Sequence, residues 1–221
     1  MRNNEGAGRG SSAMTTSALV LLSGGLDSAV CLYFATGKED GIVAISFDYF
    51  ERRERERSAA RRLAQRAKVE LISLDVSFMK EVSDDPLILR ERPDVESVYM
   101  PARNIIFYGI ASHFAERMGA ARVYGGHTST DSGFFKDASK AFFEDFNALL
   151  HDYTGSTAVS IVTPLIGMNK AEVVSFGSKL GVPYELTWSC YQDGPNACRK
   201  CRACRERAQA FASAGLSDPV S

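Results

Sequence analysis

Short apolar runs rich in β-branched residues alternate along this chain with longer stretches whose apolar residues return every three or four positions. The runs at 19–22, 42–47, 70–74, 122–124 and 159–162 have the length and composition of buried strands. Between and after them, residues 26–36, 54–67, 104–118 and 138–150 have helical length and spacing. Four such crossovers predict an α/β fold with a doubly wound parallel sheet and helices on both faces. A further helix is expected over 169–180, ended by Gly181 and Pro183, and a last one over 205–214. Gly37 and Gly119 follow helices and read as C-caps.

In parallel sheets of this kind ligands bind beyond the carboxyl ends of the strands. Three polar clusters fall at such ends, namely 23–28, Asp48-Tyr49 and 125–131, and all three are expected to face one crevice. The first has a specific composition. Ser23-Gly24-Gly25-Leu26-Asp27-Ser28 follows the apolar run ending at Leu22 and leads straight into a helical stretch. Strand, glycine turn and helix start make an anion site, because paired glycines let main-chain N–H groups approach a phosphate and the helix adds its positive end. The hydroxyls of Ser23 and Ser28 can donate to phosphate oxygens, and Asp27 can hold a magnesium ion. The same residues also suit an ordinary turn with an Asp or Ser cap. GxxxxGK[ST] is absent, which argues against a kinase or GTPase of that type.

A length of 221 residues allows one sizeable core with a small appendage. The division expected is a tail over 1–16, an α/β domain over 17–186 and a cysteine segment with a final helix over 187–221. The tail is Gly-, Ser-, Asn- and Thr-rich, too polar to offset the entropy of ordering it. A net charge of −1 gives no electrostatic case for a nucleic-acid surface or an anionic membrane. No apolar stretch could span a bilayer and no signal peptide opens the chain, so a cytoplasmic protein is expected. The run 51–57 alternates in sign and reads mostly as a solvated helix start, with one or two of its arginines open to a role at the substrate.

Of the five cysteines, Cys31 stands alone on an apolar helix face, where burial explains it. Cys190, Cys198, Cys201 and Cys204 crowd together near the end, and without an export signal such clustering points to metal rather than disulfides. Four thiolates favour closed, structural zinc. An iron–sulfur cluster also takes four thiolates, and redox chemistry would use two.

The turn resembles the SGGxDS signature of the PP-loop ATP pyrophosphatases, and the wider constellation resembles the 7-cyano-7-deazaguanine synthase (QueC) family. The resemblance runs from about Ala18 to Phe211 and rests on SGGLDS at 23–28, Phe47-Asp48-Tyr49, Pro101-Ala102-Arg103-Asn104, Asp131-Ser132-Gly133-Phe134-Phe135-Lys136-Asp137, Pro164-Leu165, Lys170 and Ser189-Cys190-Tyr191 before the cysteine triplet. It implies a carbon–nitrogen ligase that converts 7-carboxy-7-deazaguanine and ammonia to the nitrile, using ATP, magnesium and zinc, through an adenylated intermediate. ATP would be held by 22–28 and Asp48, with Ser23, Asp27, Ser28 and Arg103 catalytic. The flat acceptor would meet Arg103, Asn104, His127, Asp131, Phe134, Phe135, Lys136 and Asp137. For Asn104 a helix-start role competes, and for His127 a core or capping role. The resemblance also suggests a homodimer.

Departures from the family pattern stand at Phe50-Glu51, where Gly-Gln is common, at His127, where asparagine is common, and at Arg199, where glycine is frequent. The first two lie near the substrate, which keeps two alternatives in view. One is a related enzyme that stops at the amide or joins the deazaguanine to another amine, including one borne by a protein. The other is a PP-loop protein that binds or modifies tRNA, against which the near-neutral charge speaks.

Overall fold

The computed structural model describes residues 16–49, 52–79, 102–153 and 159–220. The expected tail up to residue 15, the departure at Phe50-Glu51 and Pro101 of the Pro-Ala-Arg-Asn motif lie outside them. Among the described residues five strands form one sheet: β1 (Ala18–Leu21), β2 (Ile42–Asp48), β3 (Glu70–Asp75), β4 (Arg122–Tyr124) and β5 (Ser160–Val162). Their order is β3-β2-β1-β4-β5 and every pairing is parallel. The doubly wound α/β sheet expected from the alternating pattern is therefore present. Its chain order reverses beside β1, between β1 and β4, and that reversal opens a crevice at the strands' carboxyl ends.

The helices are α1 (Leu26–Thr36), α2 (Glu54–Ala67), α3 (Arg103–Met118), α4 (Ser129–Phe134), α5 (Lys140–Tyr153), α6 (Lys170–Lys179) and α7 (Arg202–Ser213). Alternation along β1 divides the core between two faces. Ala18 and Val20 pack with residues of α1, α2, α6 and α7, whereas Leu19 packs with Phe107, Tyr108 and Ala111 of α3 and Phe143 and Leu150 of α5. Each fully buried Leu or Val contributes about 1.5–3 kcal/mol relative to exposure. A strand with both faces covered therefore needs an unbroken apolar run, and Ala18-Leu19-Val20-Leu21 supplies it.

The largest departures from expectation are two helix starts and one added helix. The helix expected over 138–150 begins at Lys140, because 136–138 close into a 3₁₀ turn. The short helix α4 was not expected; Thr128 and Asp131 form a capping box that starts it. The last helix begins at Arg202, directly after Cys201. Among the described residues no helix is long and apolar enough to cross a membrane.

Candidate active site and thiolate centre

The chain leaves β1 at Leu21 and enters α1 at Leu26 through the turn Ser23-Gly24-Gly25. Gly24 sits at φ +97°, and a Cβ there would lie 2.4 Å from the Glu56 main-chain oxygen and 2.8 Å from the Ala60 nitrogen. Only glycine lets the turn lie this close to α2. Gly25 is the N-cap of α1 and offers no side chain to its first N–H groups, which remain available to an anion.

The hydroxyls of the turn are organised among themselves. Ser23 Oγ donates to Ser28 Oγ at 3.1 Å, Ser28 Oγ donates to the Gly25 carbonyl at 2.9 Å, and the Gly24 and Gly25 N–H groups donate to Ser28 and Ser23 Oγ. Gly126 closes the other side, since a Cβ on it would come within 2.8 Å of the Asp27 carbonyl. The segments after β1 and β4 are thus in direct contact across the sheet's reversal point.

Asp27 Oδ2 is paired with Lys170 Nζ at the start of α6, while Asp27 Oδ1 is buried without a partner among the described residues. Burial pulls the Lys170 ammonium down, but Asp27 and Asp131 outweigh it and hold the group above its ordinary pKa. Lys170 is accordingly a fixed positive charge beside the turn. Asp48, at the end of β2, is engaged by Arg57 at 2.7 Å.

Across the crevice, the structure distributes the expected acceptor residues unequally. Asn104 is buried; its side-chain amide donates to the Asp137 carbonyl at 2.8 Å and its main-chain N–H donates to Asp137 Oδ2. These two residues join the start of α3 to the 136–138 turn. Asp131 Oδ2 accepts from both the N–H and the hydroxyl of Thr128, each at 2.8 Å. Phe134 is exposed and lies under the Arg202 guanidinium at 4.3 Å, which brings α4 against the start of α7. Phe135 is half-buried, Lys136 is exposed, and Arg103 is half-buried at the first position of α3.

The His127 ring packs against Tyr108 and Phe143. Burial lowers its pKa to about 4, with Asp131 opposing and Arg103 adding to the shift. At neutral pH the imidazole is uncharged, so it meets a ligand as a neutral donor or acceptor.

The four clustered cysteines come together as expected: their sulfurs lie within 4.8 Å of one another, and Cys198 Sγ is 3.9 Å from Cys204 Sγ. Four sulfurs about 2.3 Å from a tetrahedral zinc ion stand about 3.8 Å apart, so the set fits such an ion. Main-chain N–H groups of Gln192 and Cys198 donate to Cys190 Sγ, and that of Cys201 to Cys198 Sγ. The amides of Cys201 and Lys200 pull the Cys198 thiol down to about 6. Arg199 adopts φ +59°, which accounts for the frequent glycine at this point of the pattern. Cys31 is buried in the core, where burial drives its thiol well up.

The centre is joined to the phosphate turn. Cys190 and Cys204 pack with Ala59 of α2 and Trp188, and the main-chain N–H of Trp188 donates to the Gly24 carbonyl at 3.0 Å. Asp193, between Cys190 and Cys198, accepts from the Glu54 and Arg55 N–H groups and so caps α2 from outside.

The parallel sheet, the uncapped glycine turn and the thiolate centre together define a PP-loop nucleotide-binding protein with a site for a metal such as zinc. Residues 17–215 match the family described as "Queuosine biosynthesis protein QueC", and the chain belongs to that family. It is a carbon–nitrogen ligase of the ATP pyrophosphatase superfamily. Curated relatives include the 7-cyano-7-deazaguanine synthases of Oceanobacillus iheyensis, 38% identical over 92% of this chain and 96% of the relative, and of Archaeoglobus fulgidus, 34% identical over 92% and 89%. Among solved structures the fold is similar to an NMN synthetase from Francisella tularensis, with a TM-score of 0.53 and 14% identity over 92% of this chain and 89% of that one. It is also similar to a 4-thiouridine synthetase solved as an RNA complex with bound ATP, with a TM-score of 0.56 and 19% identity over 90% and 50%.

Three participants were not foreseen in these roles. The charge run reads mostly as a solvated helix start with one or two arginines open to a role at the substrate, yet Arg52 is buried and bonded to the glycine turn at the Ser23 carbonyl. Trp188 and Asp193 carry no local signal at all, because their partners lie more than a hundred residues away.

Proposed function

We propose that this enzyme converts 7-carboxy-7-deazaguanine and ammonia to 7-cyano-7-deazaguanine, activating the carboxylate and then the amide by transfer of AMP from ATP. The observation that supports the reading is the contact between the uncapped start of α1 and the segment after β4, the two sides of one crevice on which a phosphate cradle and an acceptor wall would lie. A carboxylate is a poor electrophile until one oxygen becomes part of a good leaving group. Attack of that oxygen on the α-phosphorus forms a P–O bond and releases pyrophosphate; ammonia then forms a C–N bond and releases AMP. A second adenylation of the amide oxygen, followed by loss of AMP and protons, leaves the nitrile, so that two ATP yield two AMP and two pyrophosphates.

The uncapped first main-chain N–H groups of α1 receive the leaving pyrophosphate, with the Ser23 and Ser28 hydroxyls beside them. Asp27 Oδ1, buried and unpartnered, fits a divalent cation such as magnesium, whose charge would offset that of the pyrophosphate. Lys170, paired with Asp27 here, is placed to turn its ammonium toward phosphate oxygens. Arg103 at the head of α3 is assigned to the acceptor carboxylate. Phe134, Phe135, Asp131, Lys136 and Asp137 form the wall against which a flat heterocycle would lie, with His127 as its neutral polar member.

The test is incubation with ATP, 7-carboxy-7-deazaguanine and ammonium, with the product read by mass. The expected product is the nitrile. His127 stands where the family commonly has asparagine and supports a second reading, in which the amide or a conjugate with another amine is the end product. Recovery of amide alone, or turnover only with a different amine, selects that reading. Absence of AMP with every amine removes both.

A further inference from the structure

We infer that Arg52, together with Ser46, is the positioning residue of the phosphate turn: a buried guanidinium that sets the geometry of the anion site without touching the nucleotide. The inference rests on ATP being the ligand of this turn and does not depend on which acceptor is adenylated. Arg52 precedes α2 and is 6% exposed. Its NH1 donates to Ser46 Oγ at 2.8 Å and to the Phe47 carbonyl at 2.7 Å, and its NH2 donates to the Ser23 carbonyl at 2.5 Å. Ser46 Oγ in turn donates to the Leu22 carbonyl at 2.7 Å. Two side chains thus hold the last carbonyls before the glycine pair and tie them to the end of β2.

The peptide that carries the Ser23 carbonyl also carries the Gly24 N–H. Fixing the oxygen on one side therefore fixes the direction of the N–H on the other, since the peptide unit is planar. Holding a Ser23 carbonyl inward turns its negative end away from the anion, where a rotated peptide would repel phosphate. Arg52 suits this task because the two separate nitrogens of a planar fork reach β2 with one and the turn with the other, whereas an ammonium offers its donors from a single point.

A buried arginine is also costly unless it is used. Burial pulls this guanidinium below its ordinary pKa, with Glu56, Tyr49 and Asp48 acting in the opposite direction. Its Nε has no partner among the described residues. With NH1 and NH2 committed to the chain, the group acts on a bound nucleotide through the turn and through its charge.

The experiment is equilibrium titration of the metal-loaded full chain with ATP, alone and with magnesium, for Arg52→Met, Arg52→Lys and Ser46→Ala. Zinc content and the thermal midpoint are recorded for each, and the KM values for ATP and for ammonium are measured where there is turnover. The expected result is ATP affinity reduced ten- to hundred-fold in Arg52→Met, partly restored in Arg52→Lys, and reduced several-fold in Ser46→Ala, with zinc content and the KM for ammonium unchanged. Folded Arg52→Met protein that binds ATP as the parent does overturns the inference. Should Arg52→Met not fold, Ser46→Ala decides, and parental ATP affinity in it overturns the inference equally. Wild-type protein that binds ATP but makes no deazaguanine product leaves this inference intact while removing the proposed function.

Discussion

The phosphate turn and the thiolate centre are both loops that end on a helix, yet they are held in opposite ways. The turn is fixed by the rest of the fold: α2 against Gly24, Gly126 against Asp27, Lys170 on the Asp27 carboxylate, and Arg52 and Ser46 on the carbonyls of Ser23 and Leu22. The cysteine loop has four sulfurs converging on one point, and among the described residues Ala59 and Trp188 are the buried ones that Cys190 and Cys204 cluster with. A site that must receive and release a ligand is shaped beforehand by its surroundings, whereas one that keeps its ion can be shaped by that ion. The two meet through Trp188, bonded to Gly24, and Asp193, bonded to the start of α2, so a bound ion would act on the turn through the chain.

The comparison breaks most sharply at Gly24. Alanine there must occupy a left-handed backbone position and displace the main chain of α2, so Gly24→Ala should cost about 3 kcal/mol in stability and abolish ATP binding. Thermal unfolding and ATP titration check both; near-parental values would mean that the turn is not fixed by α2. Next in size is Cys201→Ser, or removal of metal by a chelator. Zinc should be lost, residues 187–220 should become open to proteolysis, and ATP should bind roughly ten-fold more weakly, about 1.4 kcal/mol, as α2 loses its outside cap. Full zinc content in the folded serine variant would contradict the assignment of that ligand.

A pH measurement sharpens the side of the crevice opposite the turn. Burial depresses the His127 pKa from its unfolded value near 6.5 to about 4, so the unfolded chain binds more protons between these limits. Its contribution to stability is complete above the unfolded value and is lost as pH falls toward 4, with a slope of at most about 1.4 kcal/mol per pH unit. His127→Asn should flatten that part of the stability curve, and an unchanged slope would show that the ring is not buried as a neutral group. The smallest effect is expected of Asp193→Ala, which removes the outside cap of α2 for about 1 kcal/mol while leaving zinc in place.

Local chemistry was legible in the sequence where it is written in consecutive residues. The alternating apolar runs announced the sheet, SGGLDS announced the glycine turn between β1 and α1, and the cysteine spacing announced a tetrathiolate centre that the sulfur positions match. Partners chosen across the fold were not legible. Arg52 belongs to a run of alternating charges whose pattern is that of a wet helix face, and only the neighbouring strand ends show why one of its arginines turns inward. For Asn104 the sequence offers both a substrate contact and a helix-start role, and for Asp137 a substrate contact; the hydrogen bonds that join the two across 33 positions are what sequence spacing alone does not show. Arg199 was read as a departure, and its positive φ supplies the backbone reason for the usual glycine.

The most direct test of adenylyl transfer at the phosphate turn is the fate of the acceptor's oxygen. With both carboxylate oxygens of 7-carboxy-7-deazaguanine labelled as oxygen-18, and ATP and ammonium unlabelled, each AMP released should carry one labelled oxygen while pyrophosphate carries none. Label appearing in inorganic phosphate or in water, with ADP as the nucleotide product, would contradict the account.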